Sequence, residues 1–448
     1  MDRTRRDDYQ SLSDDAEDGH RSSEDEALLG EMEEVPFSWF EYTIFCFLGV
    51  AMLWAWNMFL AAAPYFASRF AGDEWIAANF QSTILAVSTI TNLATVLVLS
   101  NKQSSASYPF RINLALVINT VIFAFLTVST SAFLGASPAQ YLVFLLVMVG
   151  ATSYAAGLLQ NGGYAFAAGF GRPEYMQAIM AGQAVAGVLP AVAQVVTVVM
   201  YPPSSETDAS AYSSTGSTSA FIYFMAAVFI SVVTLGSLLP LFKRHKAILE
   251  GRLGEHLAES MASLQEAERS ARKVVSLWYL LKKLRWLAGG IALVFTATMF
   301  FPVLTTKILS VKPDSGILFQ PFAFIPLGFV VWNLGDLSGR ILTMLPFSLT
   351  HRPALLFFLA VLRFGELPLY FLCNIHGRGA VISSDFFYLV IVQFVFGLSN
   401  GWLGASIMMA SGEWVEEGER EASGGFMGMC LVAGLTIGSL LSFTAAKV

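Results

Sequence analysis

Phe322-Ala323-Phe324-Ile325-Pro326-Leu327-Gly328-Phe329-Val330-Val331-Trp332-Asn333-Leu334-Gly335-Asp336-Leu337-Ser338-Gly339-Arg340 is the stretch on which the reading of this sequence turns. It opens as an apolar run and, with its flanks, is long enough to cross a hydrocarbon core, which takes about 20 residues. It then places a carboxylate and a guanidinium inside that run. A charge at bilayer depth is costly unless it is paired or faces a polar cavity. The stretch therefore reads as a spanning helix and as a pointer to function.

Segments of the same kind recur on both sides of it. They fall at 37–66, 80–101, 110–134, 140–163, 175–201, 220–242, 286–308, 318–344, 354–376, 385–411 and 423–446. The 448 residues are 55% hydrophobic and only 13% charged, with a mean hydropathy of +0.60. Soluble domains average about 25% charged residues, so this chain cannot cover its surface with polar groups in water. The expected fold is an all-α polytopic membrane protein of about eleven transmembrane helices in a 6+5 arrangement. Its expected parts are an acidic disordered tail at 1–36, helices one to six in 37–242, a basic loop at 243–285, and helices seven to eleven in 286–448.

The tail is rich in Asp, Glu, Arg and Ser and contains no apolar signal region. It carries Glu24-Asp25-Glu26-Ala27-Leu28-Leu29, where Glu24 stands four residues before the Leu28-Leu29 pair. That pattern resembles an acidic dileucine sorting signal, which implies a sorting adaptor as partner and a vacuolar, lysosomal or endosomal membrane, with the plasma membrane as the alternative. The 243–285 loop collects many of the basic residues, and its middle, Leu253 to Ala271, has helical composition. The Ser/Thr-rich linker Pro202 to Ser219 has no Lys or Arg. Basic loops face the cytosol, so the N-terminus and the 243–285 loop are expected there and the C-terminus on the opposite face.

Other chemistries find no support. Cys46, Cys373 and Cys430 lie in or beside apolar segments, without disulfide or metal spacing. There is no phosphate-binding G-x-x-x-x-G-K-[ST] loop and no H-E-x-x-H pair. No enzyme activity, catalytic residue, metal, cofactor or nucleic-acid partner is expected; the partners are the lipid bilayer and a small solute, and the chain is expected to be a monomer.

Asn333, Asp336 and Arg340 share one helix face, since residues three or four apart are neighbours. Together they offer an amide, a carboxylate acceptor and a fork of donors, which suits a small polar solute with several hydroxyls. An ion pair within the helix that merely eases insertion is the competing reading. Gln160 and Asn161 in the fourth segment suit either a solute or an interhelical contact. Trp56 and Asn57 in the first suit either packing or a platform for a planar ring. Arg363 and Glu366 in the ninth are expected to pair with each other or across helices. Small residues at Gly182, Ala186 and Gly187, and at Gly424, Gly428, Gly434 and Gly438, favour close helix packing.

These residues also carry a family likeness. Trp56-Asn57-Met58-Phe59 with Pro64-Tyr65-Phe66, Gln160-Asn161-Gly162, the run Tyr175 to Gly187, and Asn333 to Arg340 resemble the ordered motifs of the equilibrative nucleoside transporters (solute carrier family 29 type). Pro368 with Cys373-Asn374, and Ser399-Asn400-Gly401, agree as well. The likeness implies a major-facilitator-like fold and facilitative transport of nucleosides, and in some members nucleobases, by alternating access. A fungal vacuolar member is the type expected. Carried onto matching positions, Asp336 and Arg340 would bind the ribose hydroxyls, Gln160 the base, and Trp56 and Asn57 would line the base pocket. Ala156 and Ala55 depart from the Gly and Pro common in the family. A carrier of a sugar or nucleotide-sugar, and a receptor or scaffold without transport, remain alternatives, and proton coupling is open.

Overall fold

The computed structural model describes residues 37–102, 107–132, 134–200, 209–252, 275–345 and 348–445. Glu24, Leu28 and Leu29, and the stretch Leu253 to Ala271, lie outside the described residues. Trp39–Val448 forms one compact unit. Among the described residues, eleven helices are long and apolar enough to cross a membrane: α1 Trp39–Ala61, α2 Glu74–Asn101, α3 Tyr108–Ala132, α4 Pro138–Gly169, α5 Pro173–Met200, α6 Ser217–Lys243, α7 Arg285–Thr305, α8 Pro321–Leu342, α9 Pro353–Leu372, α10 Phe387–Glu413 and α11 Glu417–Ser442.

Local chemistry sets many of the starts. Proline begins α4, α5, α8 and α9, where a missing N–H costs nothing because the first helical N–H groups are unpaired anyway. Asp73 caps α2 through the Ile76 amide at 3.0 Å. Ser137 and Gln140 close a reciprocal capping box on α4.

Three elements differ from the sequence reading. The first segment is two helices, because α1 stops at Ala61 and a short helix, Ala63–Phe70, follows. Pro64 sits in its first turn, where its ring cannot continue the preceding helix. The sixth span is part of a longer helix, Ala209–Arg252. It takes in the end of the Ser/Thr-rich linker and the start of the basic loop, since Ser and Lys cost a helix only a few tenths of a kcal/mol each, roughly. The α9 span is α-helical only to Leu362 and tightens into a 3₁₀ helix over Arg363–Leu372, around Pro368.

The helices pair by a rule that repeats after six positions. The α1–α5 pair has its counterpart in α7–α11, α2–α4 in α8–α10, and α3–α4 in α9–α10. Between the halves, α5 packs on α8 and α2 on α11, again related by six. These pairs come together through glycine. A Cβ on Gly335 or Gly339 of α8 would strike the α10 backbone, and one on Gly397 or Gly401 of α10 would strike α8 at Trp332 and Asp336. Gly49 and Gly182 make the same reciprocal contact between α1 and α5.

The halves meet at one end and part toward the other. The first half of α5, Tyr175 to Ala184, is almost wholly buried. Farther along, Val192, Ala193 and Gln194 are exposed in succession, and only Ala191 of that turn is buried. At the closed end the α4–α5 turn meets the start of α11: Arg420 lies against Gly171 and Glu421 against Gly169.

Candidate substrate site

Asp336 and Arg340 lie on the face of α8 that meets α10 and α5, and they are 3% and 4% exposed. Arg340 Nε donates to Asp336 Oδ2 at 3.0 Å and Nη2 to Oδ1 at 3.4 Å. The pair is buried yet fully engaged, as an ion pair in hydrocarbon must be. Asn400 of α10 donates to Asp336 Oδ1 at 2.6 Å. Arg340 also reaches across to the other half: Nη1 donates to the Met180 carbonyl and to Gln183 Oε1, the latter at 3.4 Å. Gln183 Nε2 then donates to the Tyr164 hydroxyl at 2.8 Å. A second tie runs the other way, from Gln177 Nε2 to the Arg340 carbonyl at 2.9 Å. Two side chains of α8 thus join α5 and α4 to α10.

The remaining expected residues surround this pair without all touching it. Asn57 Nδ2 donates to the Ala186 carbonyl of α5 at 2.6 Å. The next α5 residue, Gly187, faces Asn333 Oδ1, so Asn57 and Asn333 flank the same turn of α5. Asn333 Nδ2 bonds back to the Phe329 carbonyl of its own helix at 2.8 Å. Trp56 is half-buried against an aromatic cluster that includes Phe59, Phe66 and Phe123. Gln160, one turn from Tyr164 on α4, accepts from Asn92 of α2 at 3.3 Å. The Asn92 Oδ1 atom beside it is buried without a partner. A shallow recess lies between Arg172 and Met176 on one half and Met408, Glu413 and Arg420 on the other. None of the six expected residues lines it; it sits at the closed end.

A family model described as "Nucleoside transporter" matches residues 146–446. The chain belongs to the nucleoside transporter family. Three relatives span nearly its whole length. The yeast (Saccharomyces cerevisiae) "Nucleoside transporter FUN26" is 27% identical, over 90% of this chain and 83% of that protein. The human (Homo sapiens) "Equilibrative nucleoside transporter 1" is 26% identical, over 90% and 96%. The Arabidopsis thaliana "Equilibrative nucleotide transporter 1" is 26% identical, over 90% and 85%. Among solved structures, the proton:xylose symporter XylE superposes with a TM-score of 0.60 at 13% identity, over 91% of this chain and 89% of that one. The Escherichia coli fucose:proton symporter FucP gives 0.54, also at 13%, over 91% and 92%. At that identity the likeness speaks to the fold, which is that of the major facilitators. Family and fold are those of a transporter, not of an enzyme.

Several motif residues of this nucleoside transporter turn out to be supports. Asn374 ties the α9–α10 loop to the α7–α8 loop through the Ser310 carbonyl at 3.1 Å. Ser399 links Arg363 and Glu366: it accepts from Arg363 Nε at 3.0 Å and donates to Glu366 Oε2 at 2.8 Å. Gly157 stands one residue after Ala156 and takes the close approach to Thr95 of α2. The sequence reading missed Gln183, Tyr164, Asn400 and Asn92 as members of the polar centre. Polarity inside an apolar span was the available signal for each, but it does not reveal which face a residue occupies.

Proposed function

We propose that this chain carries nucleosides, and nucleobases through the same pocket, down their gradients by alternating access. The observation that carries this reading is the Asp336–Arg340 pair at the seam of the two halves. A ribose diol donates protons to a carboxylate and accepts them from a guanidinium. It can replace, one for one, the bonds that Arg340 now makes to Met180 and Gln183. Such an exchange loosens α8 from α5 as the ligand binds, which connects binding to movement of the halves. Gln160, with a buried amide, suits the base edge, and Trp56 and Asn57 suit its ring; Asn333 completes the wall.

Charge argues for nucleosides over nucleotides. Arg340 is the one cation among the six site residues, and Asp336 already neutralises it. A phosphate would enter with no uncommitted cation to meet it. The loops at the closed end hold Arg172 and Arg420, so the basic-side rule puts that end, with the N-terminus, in the cytosol and the C-terminus on the far side. The state described is then open to the outside or lumen. The Glu24, Leu28 and Leu29 pattern supports adaptor-guided sorting to a vacuolar, lysosomal or endosomal membrane, by a chain that works as a monomer.

Uptake of labelled uridine into proteoliposomes holding the purified protein tests the reading. Saturable uptake competed by adenosine is expected, and uptake no faster than in empty liposomes contradicts it.

A further inference from the structure

Asp336 is held from a second direction by residues that lie outside its own helix and outside the six expected site residues. Asn400 donates to Asp336 Oδ1 from α10. An ionised carboxylate only accepts, so the Asn400 amide must turn its NH₂ toward Asp336 and its carbonyl away. That carbonyl receives the Thr298 hydroxyl of α7 at 2.6 Å. The Thr298 oxygen in turn accepts from Arg363 Nη1 of α9 at 3.1 Å. The Val294 carbonyl, at 2.8 Å, is a rival for the Thr298 proton, but a proton turned that way would leave the Thr298 and Asn400 oxygens 2.6 Å apart with no hydrogen between them. The Arg363 guanidinium is fixed on its other edges by Ser399 and by the Phe396 carbonyl at 3.2 Å. It also lies 4.3 Å from the centre of the Phe396 ring. Arg363 and Asn400 are 2% and 1% exposed.

Every bond in this chain has one allowed direction, because a guanidinium begins it and a carboxylate ends it. We propose that Arg363, Thr298 and Asn400 are positioning residues that aim the Asp336 carboxylate at the ribose and so set the preference for ligands with 2′- and 3′-hydroxyls. This rests on the reading of Asp336 as the ribose contact. Four helices, α7 to α10, share the relay, so the carboxylate is preorganised before ligand arrives and binding need not pay to orient it.

The test is the ratio of affinities for uridine and 2′,3′-dideoxyuridine, measured by equilibrium binding to the purified full chain. Thr298→Val removes the hydroxyl while nearly keeping shape, and Thr298→Ser keeps the hydroxyl. The relay predicts that Thr298→Val and Asn400→Ala lower the uridine preference about three- to tenfold, the net weight of one ordinary hydrogen bond. Thr298→Ser is expected to restore it. Equal losses for both ligands would mean that these residues only support the fold, and would overturn the proposal. An unchanged ratio in Thr298→Val, with the preference abolished in Asp336→Asn, overturns the relay and leaves the ribose contact standing. An unchanged ratio in Asp336→Asn overturns both.

Discussion

At the scale of single residues, the site is an ion pair that is complete without a ligand. That explains how two charges persist at membrane depth, and it sets what substitution does. Arg340→Lys keeps the charge but loses the planar fork that serves Asp336, Met180 and Gln183 together. Uridine affinity is expected to fall at least about tenfold, read by the same binding assay, while affinity for a free nucleobase, which has no ribose, changes little. AMP should not compete for uridine uptake even at a hundredfold excess, roughly the case where a phosphate stays unpaired. The pair was legible in the sequence because i, i+4 spacing puts Asp336 and Arg340 on one face by geometry alone. Asn400 and Gln183 were not, because their roles depend on which helices α8 meets. Nothing local in Ser399-Asn400-Gly401 tells whether the asparagine faces lipid or carboxylate.

At the scale of elements, glycine sets the distance between α8 and α10. Gly401 faces the Asp336 backbone carbonyl itself, so the helix contact and the position of the carboxylate are one constraint. Gly401→Leu should push the helices apart and cost on the order of 1–3 kcal/mol from overpacking. A lower melting temperature in detergent, with loss of uridine binding, checks it. Helix existence was readable from hydropathy, and helix ends were less so. The Ser/Thr-rich linker looked like a loop because its composition is polar, yet Ala209 onward continues α6 as helix. The switch of α9 to a 3₁₀ helix at Arg363 was also hidden. Pro368 announced a disturbance but not its form.

Just before α7, Lys283 donates to Glu419 at 2.6 Å, and Glu419 is fully buried. That hydrogen bond raises the Lys283 ammonium above its ordinary value. A raised folded-state value means the contribution is full below the unfolded value, about 10.4 for lysine, and is lost as pH climbs through the folded one. Lys283→Met should therefore melt lower than the wild type at pH 7, with a gap that is flat through the neutral range and closes only above about pH 10.4.

At the scale of the whole molecule, the pairing rule that repeats after six helices makes two bundles that touch at a few seams. Alternating access requires the closed end to open. Glu421 of α11 lies against Gly169 at the end of α4; a Cβ at Gly169 would stand 3.0 Å from Glu421 Cγ. A cysteine at 421 would carry its sulfur near that Cγ position, within reach of a cysteine at 169. Oxidation of Gly169→Cys/Glu421→Cys should stop uridine uptake and reduction should restore it. Transport that continues through the locked protein would rule out movement at this seam. The fold as a whole was legible because a bilayer tolerates few spanning structures. Which end is closed was not, because hydropathy is blind to how two bundles tilt.

The central claim is that Asp336 and Arg340 bind a ribose during nucleoside transport. Uridine uptake into proteoliposomes by the wild type and by Asp336→Asn, matched for inserted protein, tests it most directly. Saturable uptake in the wild type that falls to the level of empty liposomes in Asp336→Asn is the predicted result. Equal uptake by both proteins would contradict the claim.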